Sequence, residues 1–182
     1  MEDAPRPVIK GVFVRSHVKA VERVLGKHGV QELERRLGHS VDYSNAANVS
    51  VADEVEMLEN IVDMFAEKPL SKRERSLEAG RLHFRDFRST PLWNILKPIF
   101  GLSPKFLLMR SHAIAGFVFR NVEFISEDKG ERCVKITMFN NDYPLEHFQG
   151  FFEEWLTSFG LKAKVDAAAH TRGRYEYTIS WS

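Results

Sequence analysis

One cysteine, Cys133, is all the thiol that the 182-residue chain carries. That excludes an internal disulfide and a cysteine-rich zinc site, and a reducing cytoplasm is the simplest home for such a chain. Charge of one sign is equally scarce. Lys and Arg total 26 against 25 for Asp and Glu, a net charge of +1, so no electrostatic bias favours nucleic acid or an anionic membrane as partner. Long apolar runs are missing too. The longest candidate lies between Arg110 and Arg120 and is broken by His112 and Gly116, short of the ~20 residues that cross a bilayer, so no membrane insertion is expected. The opening Met1–Pro7 carries Glu2 and Asp3 and lacks the apolar stretch of a signal peptide. There is no Gly-x-Ser-x-Gly elbow, phosphate loop or dinucleotide fingerprint, and no repeat, linker or low-complexity tract.

What is present is a sequence of start and stop signals. Val8–Val14 is rich in β-branched residues and reads as extended. Ser16 reads as an N-cap, with Val18, Val21, Val24 and Leu25 at helical spacing and Gly26 as the stop. A short helix over Val30–Leu37 ends at Gly38, and Tyr43–Asn48 reads as loop. Ser50 and Asp53 open a helix with the stripe Val51, Val55, Leu58, Val62 and Phe65, closed by Pro69. Ser71-Lys72-Arg73-Glu74 is a capping box. Thr90-Pro91 and Ser103-Pro104 are two further starts with proline at the first helical position. The first leads into Trp93, Leu96 and Phe100 on one side of a helix. The second leads into a helix over Ser103–Ala115 with Phe106, Leu107, Met109 and Ile114 around much of its circumference.

After Gly116 the texture changes. Val122–Ser126 and Cys133–Phe139, joined by Glu127-Asp128-Lys129-Gly130, read as a hairpin. Pro144 opens a helix carrying Phe148, Phe151, Phe152, Trp155, Leu156 and Phe159, with Gly160 as its C-cap. Lys162–Ala168 and Arg174–Trp181 form a second hairpin. In its last strand Tyr175, Tyr177, Ile179 and Trp181 alternate with Glu176, Thr178 and Ser180, the period of a sheet with one buried face. The fold class is α+β: a helical half over 1–116, then ββαββ over 117–182 forming a four-stranded antiparallel sheet, all within one domain over 1–182.

Three stretches carry a resemblance. Val8–His17, Glu78-Ala79-Gly80-Arg81-Leu82-His83-Phe84 and Asn140-Asn141-Asp142-Tyr143-Pro144-Leu145-Glu146-His147-Phe148 resemble the opening, the central signature and the most characteristic stretch of a myxobacterial domain family of unknown function with many paralogues. The match covers nearly the whole chain and implies a fold but no activity. The order helices, hairpin, helix, hairpin is also similar, more distantly, to haem nitric-oxide-binding domains, 4-vinyl-reductase domains and TRAPP tethering subunits, an analogy of topology alone.

The haem-binding relatives use a histidine on the helix before the first hairpin, and His112 stands in the corresponding stretch. Their Tyr-x-Ser-x-Arg propionate motif is replaced here by Asn140-Asn141-Asp142-Tyr143-Pro144, with no serine or arginine in register, so the reading is no haem and no other cofactor. No metal site is expected either. His83 with Asp86 and Asp142 with Glu146 are spaced like solvated pairs on a helix surface. Cys133 reads as a small buried hydrophobe in a strand.

The candidate ligand or partner residues are Arg81, His83, Trp93, His112, Asn140, Asn141, Asp142, Tyr143 and His147. For Asn140–Tyr143 the alternative is turn chemistry, with Asp142 capping the next helix. For Arg81, His83, Arg85 and Arg88 it is a solvated face neutralised by Glu74, Glu78 and Asp86. Fourteen Phe and three Trp exceed what a thin core needs, and the surplus lines either a cavity or an interface. The leading reading is a non-catalytic binding module, a cytoplasmic signalling or adaptor domain that contacts a protein partner or itself, as a homodimer through its helical half. The alternatives are a sensor that holds a small apolar ligand between helices and sheet, and an enzyme with a site near Asn140–Tyr143.

Overall fold

The computed structural model describes residues 5–100 and 103–182, and three of the serines that the sequence offers as caps, Ser50, Ser71 and Ser103, begin helices. Ser50 caps α2 (Val51–Phe65) by accepting a hydrogen bond from the Asp53 N–H at 3.1 Å. The Ser71–Glu74 box closes in both directions at the start of α3 (Lys72–Phe87). Ser103 accepts from the Phe106 N–H at 3.0 Å to start α5 (Pro104–Leu108). Thr90 behaves differently: its hydroxyl donates back to the Phe87 carbonyl at 2.7 Å, and α4 (Pro91–Phe100) follows. The expectation for Leu96 and Phe100 falls outside the described side chains.

Three expectations are corrected. Only Val8–Lys10 is strand (β1), and Gly11–Leu37 is helix (α1), kinked at Gly26 where φ is 67°. Strand propensity in Val12–Val14 yields to packing, because Phe13, Val14, His17 and Val21 bury along one helical face. Ser16 is therefore inside α1, bonded to the Phe13 carbonyl, and Gly26 and Gly38 mark the breaks that the sequence assigned them. The second correction divides Ser103–Ala115. The chain turns at Met109–Arg110 and restarts as α6 (Ser111–Val118). The Ser126 hydroxyl takes up the freed Leu108 carbonyl at 2.7 Å while sharing a 2.8 Å bond with Ser111. The third concerns the first hairpin, whose strands β4 (Glu123–Gly130) and β5 (Cys133–Phe139) run through Glu127–Gly130 and turn beyond it. Cys133 there is half-buried.

β1 pairs with β2 (Asn48–Ser50) and β3 (Phe119–Arg120) in a small antiparallel sheet. The main sheet is antiparallel, in the order β4–β5–β7–β6, with β6 at Ala163–Thr171 and β7 at Arg174–Trp181. Its residues Val134, Ile136, Val165, Tyr177 and Ile179 are buried, and Tyr177 meets Phe148 and Phe152 of α7 (Leu145–Thr157). α3 crosses the other side of α7 at the distance of bare backbone. A Cβ on Gly80 would lie 1.7 Å from the His147 carbonyl oxygen, and one on Gly150 would lie 2.1 Å from that of Leu77. This glycine crossing sets His83 and His147 side by side.

Candidate functional site

Three of the seven histidines are buried, His17, His83 and His147, and they meet in one place. α1 supplies His17, α2 supplies Glu54, α3 supplies His83 and Asp86, and the junction into α7 supplies Tyr143 and His147. His17 and Glu54 sit at apolar-stripe positions of their helices, His17 between Phe13 and Val21 and Glu54 between Val51 and Leu58. Helical periodicity therefore aims both inward. The bonds are short and continuous. His17 Nδ1 lies 2.8 Å from Asp86 Oδ2, and His17 Nε2 lies 3.0 Å from Glu54 Oε1. The Tyr143 hydroxyl donates to Glu54 Oε2. His83 Nδ1 is 3.0 Å from His147 Nε2, and His83 Nε2 is 3.8 Å from Glu54 Oε1. Among the described residues, His147 Nδ1 has no hydrogen-bond partner.

Charge in so dry a place is decided by partners. Burial works against a charged His17, but its bonds to Asp86 and Glu54 outweigh it and raise its pKa to about 9. Burial would raise the Glu54 carboxyl; the pull of His83 where it is protonated, and the His17 and Tyr143 hydrogen bonds throughout, overcome it and hold the carboxyl below its ordinary value. Burial lowers His83 to about 4, with the His17 charge adding to it against the pull of Glu54, and the same burial keeps His147 well below the ordinary range. Burial and the Glu54 charge raise Tyr143. At neutral pH the centre holds an imidazolium at His17, a carboxylate at Glu54, and neutral His83, His147 and Tyr143.

A pH profile of stability follows, with opposite signs on its two sides. Above the ordinary histidine value of 6.5, unfolded His17 gives up its proton while folded His17 keeps it until about 9. Stability present below 6.5 is therefore lost as pH rises towards 9. For His83 the unfolded side chain takes a proton below 6.5 and the folded one only near 4, so stability falls as pH drops through that window. Urea midpoints in EDTA should peak near pH 6.5. A midpoint that climbs steadily from 6.5 to 9 would contradict the His17 imidazolium.

Beside this centre lies a cavity of about 60 Å³. Phe84, Ala115, Val118, Phe124, Phe148 and Trp155 form much of its wall, and His83 belongs to both wall and polar network. His83 stands edge-on to Phe119 and Phe151 and at a tilt to Tyr143.

The remaining sequence-selected residues disperse. Arg81 pairs with Glu78 and, at 2.8 Å, with Glu153, and Arg85 holds Glu154 through two bonds, so both tie α3 to α7. Trp93 is half-buried against Phe84 and Phe87, with the Arg88 guanidinium over its ring. His112 is exposed, in a surface groove with Phe106, Met109 and Arg110. Asn140 has φ of 52° and donates to the Pro5 and Asn121 carbonyls; Asn141 is buried and accepts from the Tyr143 N–H at 3.0 Å. Asp142 is exposed, and Pro144 rather than Asp142 occupies the N-cap of α7. One further reading changes. His83 and Asp86 are not a solvated surface pair but are 2% and 4% exposed. His17 and Glu54, which complete the centre, were not selected from sequence, although a charged residue inside an apolar stripe was the available signal.

A family model described as "Protein of unknown function (DUF2378)" matches residues 4–182. No curated protein matches the chain. Among solved structures it is similar to a Cs H-NOX mutant carrying 4-cyano-L-phenylalanine, with a TM-score of 0.67 and 15% identity over 94% of this chain and 96% of that one. It is similar to a point mutant of T. tengcongensis H-NOX, with 0.66 and 16% over 94% and 97%. An oxygen-binding H-NOX domain related to soluble guanylate cyclases, in its oxygen complex, gives 0.66 and 15% over 94% of each chain. At such identities the likeness is one of fold.

Proposed function

The chain belongs to this family of unknown function, and we propose that it is a non-catalytic sensor module that takes a small apolar molecule into the cavity between α3, α6, α7 and β4. The observation that carries this reading is the double position of His83, in the cavity wall and in the polar network at once. An occupant touching His83 shifts a side chain bonded to His147 on α7 and lying 3.8 Å from Glu54 on α2, which is itself bonded to His17 on α1. Occupancy is thereby converted into helix positions, which a protein partner or a second copy can read. The absence of catalysis is supported by access: His17, Glu54, His83, Asp86 and His147 are all buried, closed to any substrate of ordinary size.

Haem, named for one of the similar structures, does not fit this chain. His112, the residue in the ligand position, faces solvent, and the described cavity of about 60 Å³ is far below the roughly 300–1,000 Å³ of cofactor pockets. Phenylalanine rings and Trp155 fill the space. Its apolar lining suits a compact apolar guest.

Xenon is a suitable probe. Under xenon pressure the methyl resonances of Ala115 and Val118 should shift and saturate, with the His83 and His147 ring resonances moving in parallel. An Ala115→Leu variant, with the cavity filled, should show neither. Unsaturable shifts confined to the surface would end the proposal. Added haemin should give no sharp Soret band, and a band abolished by His112→Ala would restore a haem reading.

A further inference from the structure

We propose that His17, Glu54 and His83 form a binding site for one divalent transition-metal ion, with Asp86 and His147 orienting the two imidazoles. The donor atoms of the three side chains lie within 4.8 Å of one another, all on fully or almost fully buried residues. The separations to Glu54 Oε1 are 3.0 Å from His17 Nε2 and 3.8 Å from His83 Nε2. Tetrahedral coordination with bonds of about 2.0–2.1 Å requires donors roughly 3.3 Å apart, a value between the two observed. Two imidazoles and one carboxylate suit zinc, cobalt, nickel or ferrous iron better than the all-oxygen ions.

The groups behind the donors carry the argument further. A metal-bound imidazole ordinarily gives its other N–H to a carboxylate, which fixes its tautomer. His17 Nδ1 does so to Asp86 at 2.8 Å. His83 Nδ1 meets His147 Nε2 at 3.0 Å, and when His83 donates there its Nε2 lone pair is left facing the Glu54 oxygen. A cation held there selects that tautomer, because the His83 Nε2 lone pair and the Glu54 oxygen 3.8 Å away can then both bind it. Charge points the same way. Glu54 and Asp86 bring two carboxylates to a site enclosed by Phe119, Phe151 and Tyr143, and a dication balances them with both imidazoles neutral. The donors come from α1, α2 and α3, so the ion would be enclosed as these helices close, and its binding would add to folding stability.

The test is to refold the full chain from urea in EDTA, remove the chelator, and add Co²⁺ or Zn²⁺. One equivalent of Co²⁺ should produce the visible d–d absorption of a low-coordinate nitrogen and oxygen site, without the sulfur charge-transfer band that Cys133 would give. Zn²⁺ should raise the melting temperature. In ¹⁵N-histidine spectra of the wild-type protein, Zn²⁺ should move Nε2 of His17 and His83 while Nδ1 of each stays protonated. Asp86→Asn should weaken binding by about 10–100-fold, and the near-isosteric His83→Gln should abolish the cobalt absorption while circular dichroism stays native. The site is refuted by no stoichiometric uptake, or by zinc shifts confined to the exposed His28, His39, His112 and His170. The histidine spectra need no variant, so a misfolded mutant leaves the test intact. Xenon binding with no metal uptake would separate this site from the cavity.

Discussion

His17→Leu should destabilise the metal-free protein by about 3–5 kcal/mol, the cost of breaking a buried ion pair and leaving its partners uncompensated. His17 is 0% exposed and bridges Asp86 at 2.8 Å and Glu54 at 3.0 Å. Leucine fills most of the volume but supplies no donor and no positive charge. Two carboxylates would then face each other in an interior closed by aromatic rings, where like charges repel and neither is hydrated. Protonation relieves this, so the loss should be smaller at pH 5 than at pH 7. A site that tolerates leucine equally well at both pH values, with a loss below about 1 kcal/mol, is incompatible with an ionised centre. Urea unfolding in EDTA measures the effect without a bound ion.

Trp155→Ala should cost a similar amount, about 3–5 kcal/mol, from lost burial and from the void left behind. Trp155 is 5% exposed, stacks on Phe84 with ring centroids 6.4 Å apart, and lies against Phe152 at 6.2 Å. It also forms part of the cavity wall, so truncation joins the indole volume to the existing space. The enlarged cavity should bind benzene, and saturating benzene should recover part of the lost stability through linkage. A loss well under about 1 kcal/mol would mean that Trp155 does not belong to the core around the cavity.

Much of the secondary structure was legible in the sequence because its causes are local. Ser50, Ser71 and Ser103 bond to backbone N–H groups three residues on, so serine with the right successors is sufficient to start a helix. Gly38 and Gly160 end helices at φ of 74°, which glycine adopts without strain. The alternation in β7 depends only on the strand period, and Tyr177 and Ile179 bury as it requires. Val12–Val14 misled because β-branching is a preference that a buried helical face outweighs.

The centre is a different matter. The sequence determined that His83 and Asp86 are one turn apart and that Tyr143 and His147 flank the start of α7, whereas the face that His17 shares with Phe13 and Val21 exists only because α1 begins at Gly11. Which of these side chains touch was decided by the crossing of four helices. Glu54 and Tyr143 are 89 residues apart, and His17 and Asp86 are 69 apart. The α3–α7 crossing depends on Gly80 and Gly150 having no Cβ, a requirement visible only once the two backbones are in contact. Tertiary packing made His83 and Asp86 a buried pair rather than a solvated one, turned His112 outward and Tyr143 inward, and used Arg81 and Arg85 to fasten α3 to α7. Local periodicity fixes the face of an element on which a residue lies, whereas the partner it meets depends on how distant elements exclude water together.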